Sequence, residues 1–147
     1  MRIVIDTNII FSAILNTNSK IGKIVIQKGN NFNFYGTNQI VLEIDKHKNK
    51  LKKLTKYNET ELDIIIDSIK RRIKFINVKL ISKDSYRYAE SLTHDIDIDD
   101  TEFVALTEHI NGNLWTGDKE LKNGLLNKGW TKFVTTDELY QILLNRK

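Results

Sequence analysis

The 147-residue chain has no cysteine and no proline. The first absence excludes disulfides, thiolate zinc sites and a cysteine nucleophile together. The second means that every turn is built from Gly, Asn, Asp and Ser, and glycine itself occurs only 7 times. Histidine is scarce too: His47, His94 and His109 would all be needed for a single three-His zinc site. No apolar run approaches the length of a membrane span. The opening MRIVIDTNIIFSAIL lacks the layout of a signal peptide, because Asp6 and Asn8 interrupt its apolar stretch. The expectation is a soluble, complete, cytoplasmic protein with no membrane partner.

What the chain does have is an ordinary globular composition, 40% hydrophobic and 29% charged in 17.1 kDa. That excludes a disordered or low-complexity chain and suits one domain spanning residues 1–147. A chain of this length buries roughly two-thirds of its unfolded surface. The net charge of +4, with a pI near 9.2, permits a nucleic-acid partner without arguing for one.

Strand-like and helix-like stretches alternate. Arg2 to Ile5 is a β-branched run that reads as a buried strand. Thr7 to Leu15 and Ser19 to Lys28 read as helices, the second stopped by Gly29. Asn33 to Tyr35 reads as a strand ended by Gly36. Asn38 is placed to cap a long helix running through Ile40, Glu43 and Leu51 to Leu54. Asn58 with Glu61 forms a capping-box pattern for a helix through Ile73. Phe75 to Val78 reads as a strand, and Ser82 caps a helix to about Leu92. Asp99 with Glu102 is another box, opening the helix of Phe103, Leu106 and Ile110. Leu114 to Thr116 is a strand, Lys119 to Leu126 a helix, and Phe133 to Thr135 the last strand. Thr135 with Glu138 caps the final helix. This order predicts a mostly parallel sheet covered by helices on both faces.

Acids fall where such a sheet collects ligands, at the carboxyl ends of its strands. Asp6 follows the first strand, and Asp118 follows Leu114–Thr116 after one Gly. Asp95, Asp97, Asp99 and Asp100 precede the helix that feeds that strand. Glu43 sits within the apolar run Ile40-Val41-Leu42-Glu43-Ile44, which predicts an inward position. Each acid also fits a structural role: Asp6 and Asp118 as N-caps, Glu43 on an amphipathic surface, Asp97–Asp100 as a solvated loop. Four acids in six residues repel one another, and a bound cation relieves that cost. Spacing gives Asp99 the cap, with Glu102 closing the box, and leaves Asp100 as the first helical residue, turned toward the sheet. Three or four converging carboxylates without Cys select Mg²⁺ or Mn²⁺, which suits phosphoryl chemistry through an activated water.

The segments VIDTNIIFSAIL, NQIVLEIDKHKNKL, DIDDTEFVALTEHIN and LWTGDKEL resemble, in order and spacing, the successive motifs of PIN-domain nucleases, and VTTDELYQIL resembles that family's closing strand and helix. The likeness spans essentially the whole chain. It implies a three-layer PIN-like α/β fold with a short, mostly parallel sheet of about five strands. It implies a Mg²⁺- or Mn²⁺-dependent endonuclease acting on single-stranded RNA and leaving 5′-phosphate and 3′-hydroxyl ends. By matching positions, it implies Asp6, Glu43, Asp100 and Asp118 as the catalytic acids. Asp6, Asp100 and Asp118 are the expected metal ligands, and Glu43 either ligates or orients the nucleophile. Asn8 and Thr116 fall where polar residues support the site, and Asp97 and Asp99 match the acids preceding the third motif. Many small PIN proteins resemble VapC-type toxins, which brings an antitoxin and a homodimer into view as partners.

The positive charge is concentrated. From Lys46 to Lys79 there are eleven Lys/Arg against four acids, so this stretch carries +7 and the remainder −3. KHKNKLKKLTK and KRRIK suit a phosphate backbone, and equally the solvated faces of two helices. Lys46 and Lys50, on the turns after Glu43, are placed to reach the site, with Lys52 and Lys53 extending the track. Few aromatics accompany them, so base stacking is not indicated. Alternatives to the nuclease are a catalytically weak nucleic-acid-binding or assembly module, with the acids as caps, and a metal-dependent phosphatase of small substrates.

Overall fold

The computed structural model describes residues 1–27 and 31–145. Strand β1 (Arg2–Ile5) buries Ile3, Val4 and Ile5 completely, as expected for a strand covered on both faces. It pairs in parallel with β2 (Asn33–Thr37) on one side and β4 (Asn113–Trp115) on the other. β3 (Ile73–Ile76) adds to β2, giving the order β3-β2-β1-β4 with every strand parallel. Ile3 lies opposite Phe34 and Asn113, and Ile5 lies opposite Trp115. The Phe34 and Trp115 rings stack across β1 at 6.2 Å.

Helices α1 (Thr7–Leu15) and α2 (Lys20–Ile26) connect β1 to β2. Helices α3 (Gln39–Lys46), α4 (Lys48–Leu54) and α5 (Glu59–Lys70) connect β2 to β3. These steps move along the sheet in one direction. The return from β3 to β4 runs the other way, through α6 (Lys83–Thr93) and α7 (Thr101–Ile110). Parallel crossovers are right-handed, so the reversal puts the return helices on the opposite face. The packing follows suit: α7 lies on β1, β2 and β4 with α6 against it, while α1 packs with α2 and α5. Helix α8 (Lys119–Asn127) touches α6, and α9 (Thr136–Leu144) joins α2. Among the described residues no single helix is long and apolar enough to cross a membrane.

The structure departs from the sequence reading at several points. Among the described residues the sheet has four strands, close to the expected number of about five. Phe133 makes only an isolated parallel bridge to Leu114, held by Leu114 N–H to Lys132 O at 2.8 Å and Val134 N–H to Leu114 O at 3.0 Å. No further pairing is available, because Thr135 N–H already donates to Glu138 Oε1 at 3.0 Å to start α9. The long helix expected from Asn38 to Leu54 is two helices that meet at His47. There the ring meets Phe11 edge-on at 5.7 Å and Glu43 Oε2 at 3.4 Å. Asn38 precedes α3 but caps nothing; its Oδ1 accepts from Val78 N–H at 3.2 Å and ties the end of β2 to the end of β3. β3 begins at Ile73, which the helical pattern had claimed, and Val78 opens a short 3₁₀ turn. The expected stop of α2 at Gly29 lies outside the described residues.

The other caps follow the local pattern. The boxes at Asn58/Glu61 and Thr135/Glu138 are complete, and Ser82 accepts from Ser85 N–H. Helix α7 ends on Asn111 in the left-handed region (φ 53°), followed by Gly112. A Cβ on Gly112 would stand 2.8 Å from Arg2 O, so glycine here lets the chain descend directly alongside β1.

Candidate active site

In the order β3-β2-β1-β4 the connection after β1 runs to one side of it and the connection into β4 runs to the other, so the topological switch point lies between β1 and β4. Ligands bind outside the carboxyl ends of strands at such a point. β1 delivers Asp6 there, and β4 delivers Thr116 and Asp118.

Asp6 is 4% exposed. Its Oδ1 accepts from Ile9 N–H at 2.9 Å, capping α1, and its Oδ2 accepts from the Thr116 hydroxyl. Thr116 Oγ1 in turn accepts from Asp118 N–H at 3.1 Å, so one hydroxyl joins the ends of β1 and β4. Burial raises the Asp6 pKa above its ordinary value; the bonds from Thr116 and Ile9 oppose that shift, and the charge of Asp118 adds to it. Asp118 Oδ1 caps α8 by accepting from Leu121 N–H at 3.1 Å.

The acidic loop corrects the expected cap. Asp97, not Asp99, accepts a backbone bond here, from Asp99 N–H at 3.0 Å. Asp100 occupies the N-cap position of α7 yet makes no capping bond. Its Oδ2 is buried without a hydrogen-bond partner among the described residues. Burial, then Asp97, Asp118, Asp6 and Asp99 in turn, push its pKa up to about 7. Glu102 does not close a box with Asp99. Its Oε1 accepts from Thr37 Oγ1 at 2.8 Å, pinning α7 to the end of β2, and burial raises its pKa too.

Asp97, Asp100 and Asp118 each place an oxygen within 4.8 Å of the other two. Asp6 stands outside this triangle and beneath it in burial, with both oxygens already bonded. The set fits a hard cation: every donor is a carboxylate oxygen, which suits Mg²⁺ and Mn²⁺, and the buried Asp100 Oδ2 has a lone pair free to ligate one.

A cleft of about 500 Å³ opens beside the triangle. Asp6, Thr7, Asn8, Gln39, Glu43, Tyr86, Ile98, Asp99, Asp100, Glu102 and Phe103 line it. Asp118 and Thr116 line a smaller neighbouring cleft of about 270 Å³ with Lys119 and Lys122. The large cleft thus gathers Asp6, Asn8, Glu43, Asp99 and Asp100 of the residues expected from sequence. Among the described residues no Lys or Arg lines it. Lys46 shares α3 with Glu43, three residues on and hence on a neighbouring face. Lys50, Lys52 and Lys53 ride on the separate helix α4. Lys52 stands 3.8 Å from Glu59, whereas Lys46, Lys50 and Lys53 make no ion pair among the described residues. Glu102, Gln39 and Tyr86 escaped the sequence reading. Glu102 fits a capping box equally well, and Tyr86 lies in a helix whose pattern gave no reason to turn it toward the acids.

The Thr116 bridge makes a prediction. Thr116→Val strips the donor from buried Asp6 and the acceptor from Asp118 N–H. The expected cost is about 1–3 kcal/mol in stability, with Mn²⁺ affinity about 10-fold weaker by titration calorimetry. Unaltered Mn²⁺ affinity would show that the bridge does not shape the site.

Comparison with known proteins gives the family and the fold. The sequence profile of the PIN domain matches residues 4–141. The chain belongs to the PIN-domain family. In fold it is similar to a chain in the crystal structure of VapBC2 from Rickettsia felis bound to a DNA fragment from its promoter. The TM-score is 0.63 at 13% identity, covering 92% of this chain and 97% of the other. No curated protein matches the sequence.

Proposed function

We propose that the protein is a metal-dependent endoribonuclease that cuts single-stranded RNA. The observation that carries this reading is Asp100: it stands at a cap position, caps nothing, and leaves a buried oxygen unpartnered within reach of two other carboxylates. Caps alone account for Asp6, Asp97 and Asp118, which all accept backbone bonds. They do not account for Asp100, so the acids-as-caps module is the weaker reading.

Asp97, Asp100 and Asp118 would hold Mg²⁺ or Mn²⁺, with Asp6 supporting from below. A bound ion of this kind offsets charge developing on phosphorus and acidifies water. Glu43 and Glu102 line the same cleft, where a carboxylate orients a water and accepts its proton. Attack in line on phosphorus would break the bond to the 3′-oxygen, leaving a 3′-hydroxyl and a 5′-phosphate. Membership of the PIN family and the likeness to VapBC2 support a toxin role. In this reading the 147-residue chain is one cytoplasmic domain, with an antitoxin and a second copy as protein partners. A small adjacent reading frame encoding a DNA-binding protein is the genomic mark of that pairing.

The test is incubation of mixed-sequence RNA with the protein and Mn²⁺ or Mg²⁺, beside an EDTA control and a DNA strand of the same sequence. The expected outcome is cleavage of RNA with metal only. Cleavage that survives EDTA sinks the carboxylate mechanism, and no cleavage under any condition returns the weight to the binding module.

A further inference from the structure

The large cleft is lined by five carboxylates and, among the described residues, by no Lys or Arg, so its walls repel phosphate except where an ion sits. A nucleotide's uncharged part, its base, has no such difficulty. One wall suits it. Tyr86, on α6, and Ile98, in the acidic loop, are 36% and 64% exposed and line the cleft beside Asp100 and Glu102. Large apolar side chains held open beside a polar site mark a place where a ligand's apolar surface is covered. The Tyr86 ring makes no ring contact with another aromatic among the described residues. Gln39, the first residue of α3, and Asn8, in the first turn of α1, line the same cleft. Neither side-chain amide is hydrogen-bonded among the described residues, so each has donors and an acceptor to offer a base edge.

Resting on the nuclease reading above, we propose that this wall is a nucleobase subsite: an unstacked base adjoining the cleaved phosphodiester lies on Tyr86, with the Gln39 and Asn8 amides facing its edge. Single-strand preference follows, because a base paired within a duplex cannot reach Tyr86. Sequence preference at that one nucleotide follows as well, which the scarcity of aromatics in the basic segment gave no reason to expect. Stacking on an aromatic is sequence-tolerant, so discrimination falls to the two amides.

Kinetics on a short single-stranded RNA test it. Tyr86→Ala is expected to raise KM about ten-fold with kcat within two-fold, while Tyr86→Phe keeps the wild-type KM. Tyr86 is exposed, so the alanine variant is expected to fold. An abasic residue at the position next to the cut reproduces the KM rise in wild type and adds little in Tyr86→Ala. Gln39→Ala flattens any base preference there. An unchanged KM in Tyr86→Ala, or an abasic penalty of equal size in both proteins, overturns the subsite. A fluorescent 2-aminopurine at that position, read without metal, separates this from failure of the nuclease reading. Quenching by wild type but not by Tyr86→Ala supports the subsite even in a protein that does not cleave, and equal fluorescence with both rejects it.

Discussion

Asp100→Asn is expected to reduce the proposed metal-dependent RNA cleavage by about 10³-fold and, at the same time, to make the metal-free protein more stable above neutral pH. The first half follows from the site. Asp100 lies within 4.8 Å of Asp97 and Asp118 and carries the unpartnered buried oxygen. Charge stabilisation at a reacting phosphate is among the largest contributions a site makes. The neutral amide offers one weaker oxygen in place of a carboxylate. Residual cleavage within ten-fold of wild type would falsify the assignment of Asp100 as the principal acid.

The second half follows from proton linkage. Burial and four neighbouring acids push the Asp100 carboxyl from an ordinary 3.8 to about 7 in the folded chain. The folded state therefore holds a proton that the unfolded state releases. Stability of the metal-free wild type falls as pH rises from about 4 to about 7, and levels above that. Asparagine carries no such proton, so the variant's advantage grows across that window and vanishes below it. Asp100 is half-buried, and solvent screening discounts the full linkage value. A gain of only about 1 kcal/mol still shifts Tm by about 3 °C in a chain of this size. Adding Mn²⁺ reverses the ranking, since it stabilises wild type alone. Thermal melts at pH 5 and pH 8, each with EDTA and with Mn²⁺, give the four numbers needed. A variant less stable than wild type at pH 8 in EDTA would mean that Asp100 is not electrostatically strained.

These two consequences share a cause that was half legible in the sequence. β1 announced itself because a β-branched run ending in Asp needs no distant partner to be recognised. The capping boxes at Asn58/Glu61 and Thr135/Glu138 were legible for the same reason: both halves lie three residues apart. The box at Asp99/Glu102 obeys that spacing and does not form, because Glu102 finds Thr37 from 65 residues away. Local pattern carries no record of such a competitor. The break of the 38–54 helix at His47 is also non-local in part, since Phe11 of α1 packs on the ring. The last strand shrank to a bridge because the cap that follows it took its backbone. The candidate site shows the same division. Asp6 and Asp118 could be placed by strand ends, but the joining of Asp97 to Asp100 depends on how a short acidic loop turns, which spacing does not encode.

The basic segment yields the other large effect. Replacing Lys46, Lys50 and Lys53 together by Gln is expected to weaken RNA binding about 100-fold at 0.1 M salt and to lower the salt slope by about 2, since each phosphate contact on a single strand contributes about 0.7. These three are chosen because they make no ion pair among the described residues. Lys48 is bonded to Asp63, Lys52 approaches Glu59 at 3.8 Å and Lys70 approaches Asp45 at 4.0 Å. A lysine already held by a carboxylate must give up that contact to meet a phosphate, although exposed pairs are weak and the loss is small. The matched triple, Lys48, Lys52 and Lys70 to Gln, also removes three charges but should move the slope less. That comparison separates contact from bulk charge. If the two triples change slope and affinity equally, the segment acts only through the long-range field of its +7. If neither changes them, RNA does not follow this face, and the lysines are the solvated sides of α3, α4 and α5. Lys46 is the lysine of the set nearest in sequence to the large cleft: it is three residues from Glu43 on the same helix. Lys46→Gln alone is therefore expected to cost more affinity than Lys53→Gln alone if an RNA strand runs from this segment to the five carboxylates.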